Sequence, residues 1–123
     1  ADVELRHVGT DRWRGQKLAD LADERVVADH LRVCWQLDGR DVNCGRCEKC
    51  VRTACELLAA GALHRFDRLP QAEELAARVA GLPSAGGSAV VFERLLASPD
   101  DGRVPGPLRA EIERLLARTG GAP

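Results

Sequence analysis

Apolar residues recur at helical spacing through most of the 123-residue chain. One apolar residue at every third or fourth position is typical of helices that bury one face. This pattern predicts six helices, which begin near Thr10, Asp23, Glu48, Pro70, Ser88 and Pro107. Gly61 and Gly81 follow the third and fourth of them, where glycine commonly ends a helix.

Residues 3–8 are the exception, because the sequence VELRHV alternates apolar and polar side chains. Alternation is typical of a strand with one buried face. A single strand is not stable in water without neighbours. We therefore expect a mainly α-helical domain with one short N-terminal strand, which forms the C-terminal part of a larger α/β protein.

Four of the five cysteines lie within one short segment, CWQLDGRDVNCGRCEKC. We call these four residues the cysteine cluster: Cys34, Cys44, Cys47 and Cys50. Thiols separated by two residues can bind one metal ion, because a tight turn places both sulfurs on the same side. Clustered cysteines in a chain that shows no secretion signal indicate a metal site rather than disulfides. We predict that all four bind one Zn²⁺ ion.

The residues around the cysteine cluster suit such a site. Gly45 permits a tight turn after Cys44. Cys47 and Cys50 fall at the start of the predicted third helix, where the helix dipole favours a thiolate. Asp38-Gly39 indicates a turn that brings Cys34 back towards the other three. We expect the ring of Trp35 to shield the sulfurs.

The sequence also offers another cofactor and other possible ligands. A [4Fe–4S] cluster is the alternative, since two cysteine pairs at this spacing also begin ferredoxin motifs, although the Cys-Pro that usually follows them is absent. Cys55 shares a helix face with Val51 and Leu58, so we predict that it packs in the core. His30 could bind a metal, but four thiols already complete a tetrahedron.

Composition narrows the classes of function. The chain has 18 basic and 19 acidic residues, for a net charge of −1, which argues against a module that binds nucleic acid through phosphates. No apolar run approaches the roughly 20 residues that cross a bilayer, and we expect a cytoplasmic protein with no membrane partner.

No serine–histidine–acid arrangement is present, so no catalytic residue is predicted. The glycines of residues 84–89 indicate a loop that leads into a helix.

One segment resembles a known family. NCGRCEKCVRTACELLAAG, with LRVCW upstream of it, is similar to the C-terminal metal-binding segment of QueC-like proteins. These belong to the PP-loop ATP pyrophosphatase superfamily. In its 7-cyano-7-deazaguanine synthases four cysteines bind one zinc ion, which implies that role for the cysteine cluster and a turn-forming role for Gly45. The likeness covers residues 31–61, and the SGGxDS-type loop that binds ATP in that family is absent from the chain.

The resemblance implies a structural zinc domain that does not itself catalyse a reaction. Its partner would be a PP-loop domain of an ATP-dependent ligase, in the same polypeptide or on another chain. We expect one domain over residues 1–123, with a strand and linker at 1–9, the metal-site core at 31–61 and a helical extension at 70–119. Two alternatives are an iron–sulfur redox or sensing protein, and a freestanding zinc module that binds proteins or forms a homodimer.

Overall fold

The computed structural model describes residues 2–35, 43–99 and 101–120. Within these residues lie six α-helices: α1 (Arg14–Leu21), α2 (Arg25–His30), α3 (Glu48–Ala59), α4 (Ala72–Ala80), α5 (Ala89–Ala97) and α6 (Gly106–Gly120). Two short 3₁₀ turns, Leu63–Arg65 and Gly86–Ser88, precede α4 and α5. The predicted mainly α-helical fold is confirmed.

The strand predicted for residues 3–8 is not formed. Residues 2–8 adopt no regular secondary structure, and the side chains of Val3, Leu5 and Val8 are exposed. A strand requires a second strand to pair with its backbone N–H and C=O groups. The part of the chain that the structure describes contains no other strand, so alternation alone does not produce one.

Helix α3 lies at the centre of the fold and packs against α1, α4 and α5. Its buried residues are distributed around the helix rather than along one stripe: Cys50, Val51, Thr53, Ala54, Cys55, Glu56 and Leu57. A helix that is buried on most sides must satisfy its polar side chains within the protein. The prediction of a single buried stripe through Val51, Cys55 and Leu58 was therefore too narrow.

The C-terminal helices form most of the apolar core. Helix α6 packs against both α4 and α5. Leu75, Val79, Phe92, Ile112 and Leu115 are completely buried between these helices. Burial of apolar side chains on this scale is the main source of folding free energy in a small domain.

Two helix ends are closed by arginines from other parts of the chain. Gly61 follows α3 with φ +76°, as predicted for a left-handed cap, and Arg103 Nη1 donates to the carbonyl of Ala59 at 3.3 Å. At the end of α4, Gly81 has φ −77°. There the guanidinium of Arg118, on α6, donates to the carbonyls of Val79 and Leu82 at 2.9 and 2.8 Å. Helix α4 ends before Gly81 as predicted, and the side chain of Arg118 adds to the cap that the Gly81 N–H provides.

None of the helices in residues 2–35, 43–99 and 101–120 combines the length and the apolar character needed to cross a membrane.

Candidate metal centre

The cysteine cluster converges in the folded chain. The four Sγ atoms all lie within 4.8 Å of one another. Individual Sγ–Sγ distances are 3.5 Å between Cys47 and Cys50, 3.9 Å between Cys44 and Cys50, and 4.0 Å between Cys47 and Cys34. All four are free of disulfide bonds. The four residues are therefore positioned to bind one metal ion, and their role as ligands remains a prediction.

Backbone amides point at two of the sulfurs. Cys44 Sγ accepts N–H bonds from Arg46 and Cys47, at 3.4 and 3.2 Å, and Cys47 Sγ accepts one from Cys50 at 3.5 Å. The turn that makes the first pair requires a left-handed residue at position 45, where Gly45 has φ +76°. Amides aimed at sulfur favour the thiolate, which is the form that binds metals.

When no ion is bound, the thiols of the cysteine cluster have different pKa values, because burial and the N–H donors affect each of them to a different extent. Burial raises the pKa of Cys44, but the N–H groups of Arg46 and Cys47 outweigh it and lower that pKa to about 7. Burial raises the pKa of Cys47 and, further, that of Cys50, where the neighbouring thiols also disfavour a second negative charge. A divalent cation would relieve that repulsion, because it attracts every thiolate in the cluster.

Asn43 joins the two halves of the cluster, and the sequence analysis missed it. Its side-chain oxygen accepts from the backbone N–H groups of Val33 and Cys34, at 2.9 and 3.2 Å. Its amide nitrogen donates to the carbonyls of Leu31 and Arg68, at 3.0 and 3.3 Å. With 8% of its surface exposed, this asparagine holds the segment that carries Cys34 beside the turn that carries Cys44. A lone asparagine next to a cysteine gave no signal of this role.

The first turn of α3 is also anchored to the loop before α5. Ser88, which is fully buried, donates its hydroxyl to Glu48 and accepts an N–H bond from Arg52 Nη1 at 2.8 Å. A Cβ atom at Gly86 would lie 2.6 Å from Glu48 Oε2, so the loop approaches the helix closely. The prediction that residues 84–89 lead into a helix is confirmed, and their contacts fix the helix start that carries Cys47 and Cys50.

Trp35 does not shield the sulfurs as expected. Its side chain is 76% exposed, and the Nζ atom of Lys49 lies 4.3 Å from its ring centroid. Arg46, which precedes Cys47, is exposed. The turn predicted at Asp38-Gly39 lies outside the described residues. Arg46 and Lys49 are adjacent in sequence to Cys47 and Cys50.

The remaining candidate ligands stand apart from the site. Cys55 is 1% exposed and packs in the apolar core, as predicted, and burial raises its pKa to about 12. His7, His30 and His64 are exposed. Among the residues that the structure describes, only the cysteine cluster gathers three or more metal-binding groups.

One acidic residue is buried, which no pattern in the sequence predicted. The side chain of Glu56, on α3, is only 1% exposed. Arg14, on α1, donates one amino group to Glu56 Oε1 and the other to Thr53 Oγ1, the second at 2.7 Å. Burial and the nearby Arg52 lower the pKa of Arg14. This ion pair attaches α1 to the middle of α3.

Searches of protein-family models, curated protein sequences and solved structures returned no match to this chain.

Proposed function

We propose that Cys34, Cys44, Cys47 and Cys50 bind one Zn²⁺ ion in a closed structural site. The observation that carries this proposal is the mutual approach of the four sulfurs to within 4.8 Å. Four thiolates about 2.3 Å from a tetrahedral zinc ion lie about 3.8 Å from one another. The Sγ–Sγ distances of 3.5, 3.9 and 4.0 Å agree with that geometry.

The same distances favour a single ion over an iron–sulfur cluster. In a [4Fe–4S] cluster each cysteine binds a different iron atom, so the sulfurs surround a group of atoms rather than one. Such sulfurs lie further apart than those that share one ion. The absence of a Cys-Pro continuation after Cys50 supports the same choice.

The site would stabilise the fold rather than catalyse a reaction. Four thiolates complete the tetrahedron and leave no position for a reacting water molecule. Cys34 lies in a segment without regular structure, whereas Cys47 and Cys50 lie at the start of α3. Coordination by all of them ties that segment to the central helix. The excess negative charge of four thiolates would be offset by Arg46 and Lys49.

For the wider role we propose a non-catalytic C-terminal domain of a QueC-like PP-loop protein. The support is the sequence likeness over residues 31–61 and the convergence of the four residues that the likeness assigns as ligands. In this role the helical domain would pack beside an ATP-dependent active site that belongs to a PP-loop domain.

Metal analysis tests the zinc site. Protein purified without added metal should contain one zinc per chain by elemental analysis, and native mass spectrometry should show the same mass increment. Cobalt exchanged for zinc should give the intense visible absorption of tetrahedral thiolate coordination. A metal-free protein in which residues 31–35 and 43–50 keep the same structure, or a protein that contains iron and sulfide, would contradict the proposal.

A separate experiment tests the wider role. Affinity purification from the source cell, followed by mass spectrometry, should recover an SGGxDS-containing PP-loop domain, in the same polypeptide or as a bound partner. Recovery of the zinc-loaded domain only as a monomer or homodimer would reject this role and leave the zinc site standing.

A further inference from the structure

The four thiols of the cysteine cluster differ in how far solvent reaches them. Cys34 and Cys50 are buried, whereas Cys44 and Cys47 are partly exposed. Oxidants react with the thiolate form of a cysteine, and they react faster where the sulfur is accessible. Cysteine ligands of a zinc ion are deprotonated, so all four would be thiolates in the zinc-loaded protein. The two partly exposed sulfurs are therefore the positions at which an oxidant would react first.

Cys47 is a partly exposed sulfur with a second sulfur close to it. Its Sγ atom lies 3.5 Å from that of Cys50. The Sγ atoms of Cys47 and Cys34 are 4.0 Å apart, and those of Cys44 and Cys50 are 3.9 Å apart. Because a disulfide bond is about 2.05 Å long, Cys47 and Cys50 need less movement to form one than either of these other pairs.

The local backbone also favours a bond between Cys47 and Cys50. Cys47 is the residue that precedes α3, and Cys50 lies in the first turn of the helix. Two residues separate them, as in the Cys-X-X-Cys motifs that alternate between dithiol and disulfide. The start of the helix is held independently of the sulfurs, since Ser88 donates its hydroxyl to Glu48. The bond can therefore close within one turn without moving distant segments of the chain.

We propose that the cysteine cluster is an oxidation-sensitive switch, in which a hydroperoxide joins Cys47 to Cys50 and the zinc ion leaves. This inference rests on the proposed zinc site. With hydrogen peroxide, the Cys47 thiolate attacks one oxygen, breaks the O–O bond and becomes a sulfenic acid, and the hydroxide released takes a proton from solvent. The Cys50 thiolate then attacks the sulfenic sulfur and displaces a second hydroxide, which is also protonated. The two sulfurs lose two electrons, and the peroxide is reduced to two water molecules.

Oxidation would separate the cysteine-bearing segments from the central helix. Cys34 and Cys44 would be the remaining thiolates, and two ligands do not complete a tetrahedral zinc site. Residues 31–35 and 43–46 would then lose the link to α3 that the ion provides. The later turns of α3 stay in place, because Val51 and Leu57 are completely buried in the apolar core. The switch thus frees one part of the surface and leaves the helical core folded.

Peroxide treatment of the zinc-loaded full chain tests this proposal. A chelating dye should detect about one zinc ion released for each disulfide formed, and dithiothreitol with added zinc should reverse the release. Trypsin separates the last three cysteines of the cluster, because it cleaves after Arg46 and Lys49. Without reduction, mass spectrometry should therefore recover peptides 47–49 and 50–52 as one cross-linked pair. Hydrogen exchange should rise in residues 31–35 and 43–46 and stay slow in α6.

The Cys55→Ala variant is the matched control. Cys55 is 1% exposed and packs in the core, so its removal should change the rate of zinc release by no more than about twofold. Zinc retained under peroxide, a cross-link between other cysteines, or irreversible oxidation of Cys47 without a cross-link would overturn the switch and leave the zinc site standing. Elemental analysis before peroxide is added separates the two proposals, since a chain without zinc would reject both.

Discussion

Two regions of the molecule are stabilised in different ways. One is the cysteine cluster with its flanking segments, and the other is formed by the three C-terminal helices. Helices α4, α5 and α6 are joined by fully buried apolar side chains, among them Phe92, Ile112 and Leu115. Residues 31–35 and 43–47 have no helix, and they are joined to one another through sulfurs and the side chain of Asn43. One region would hold its shape through burial, the other through a bound ion and a few hydrogen bonds.

This difference makes α3 the link between the two regions. Its first turn carries Cys47 and Cys50, and its later turns pack in the core through Val51, Ala54 and Leu57. A change in the cysteine region should therefore reach the core mainly through the start of α3 and through the contact of Asn43 with Arg68, while a change in the core should leave the sulfur arrangement intact.

Removal of the metal should have the largest effect. Structural zinc contributes about 10–16 kcal/mol of apparent binding free energy in zinc-finger peptides. After chelation, hydrogen exchange should rise strongly in residues 31–35 and 43–50 and remain slow in α6. Uniform loss of protection through all helices would contradict the division into two regions.

Two cysteine variants test whether the metal is bound by the predicted ligands. Cys50→Ala should reduce zinc content from one ion per chain to none. Cys55→Ala alters a thiol on the same helix, but one that lies in the core, and zinc content should stay at one. Elemental analysis of both variants measures this, and loss of zinc from the second would contradict the assignment.

A core truncation should destabilise the other region next most strongly. Phe92 is fully buried, so Phe92→Ala should lower the free energy of unfolding by about 3–5 kcal/mol. Val90→Ala, on the same helix at a position that is 53% exposed, should change it by about 0.5 kcal/mol or less. Denaturant titration measures both, and the folded fraction of each variant should still bind one zinc.

Asn43→Ala should weaken metal binding without removing it. Loss of a residue that positions metal ligands commonly lowers affinity by about 10–100-fold. Competition with a chelating dye measures this change. Ser98→Ala, which removes an exposed hydrogen bond at the end of α5, serves as the control and should leave the affinity unaltered. An affinity of Asn43→Ala equal to that of the wild type would show that Asn43 does not hold the ligands together.

Gly45→Ala should give the smallest effect. A left-handed conformation costs a residue with a Cβ atom about 1–2 kcal/mol, and Gly45 has φ +76°. Its Cβ atom would meet only Pro70, at 3.9 Å, so strain rather than collision is expected. Thermal melting of the zinc-loaded protein measures the cost, with Gly87→Ala, where a Cβ atom meets nothing within 4 Å, as the matched control.

Local patterns accounted for much of the fold and for the four proposed ligands. Helical periodicity indicated all six helices, because it reflects which side of each one is buried. The start of α1 was predicted too early, near Thr10, because the helix begins at Arg14, where the backbone N–H of Trp13 donates to the side chain of Gln16. The spacing of Cys44, Cys47 and Cys50 indicated the site because cysteines three residues apart can be brought together by one turn of the chain.

The remaining features depend on contacts between distant parts of the chain. Asn43 contacts the carbonyl of Arg68, and Glu56 pairs with Arg14 of another helix. Neither contact has a characteristic sequence spacing. From the sequence alone, Asn43 and Glu56 therefore look like ordinary solvent-exposed polar residues. The strand at residues 3–8 failed for a related reason, since its formation depends on a partner strand that the described residues do not contain.

The junction between α4 and α6 has a consequence for tolerated sequence change. Gly81 adopts an ordinary right-handed conformation, and a Cβ atom there would meet only backbone oxygens at 3.5 Å. We therefore expect substitutions at position 81 to be tolerated, whereas substitutions of Arg118 should destabilise this junction. Lysine at 118, with a single ammonium group in place of the planar guanidinium fork, could not reach both carbonyls in the same geometry.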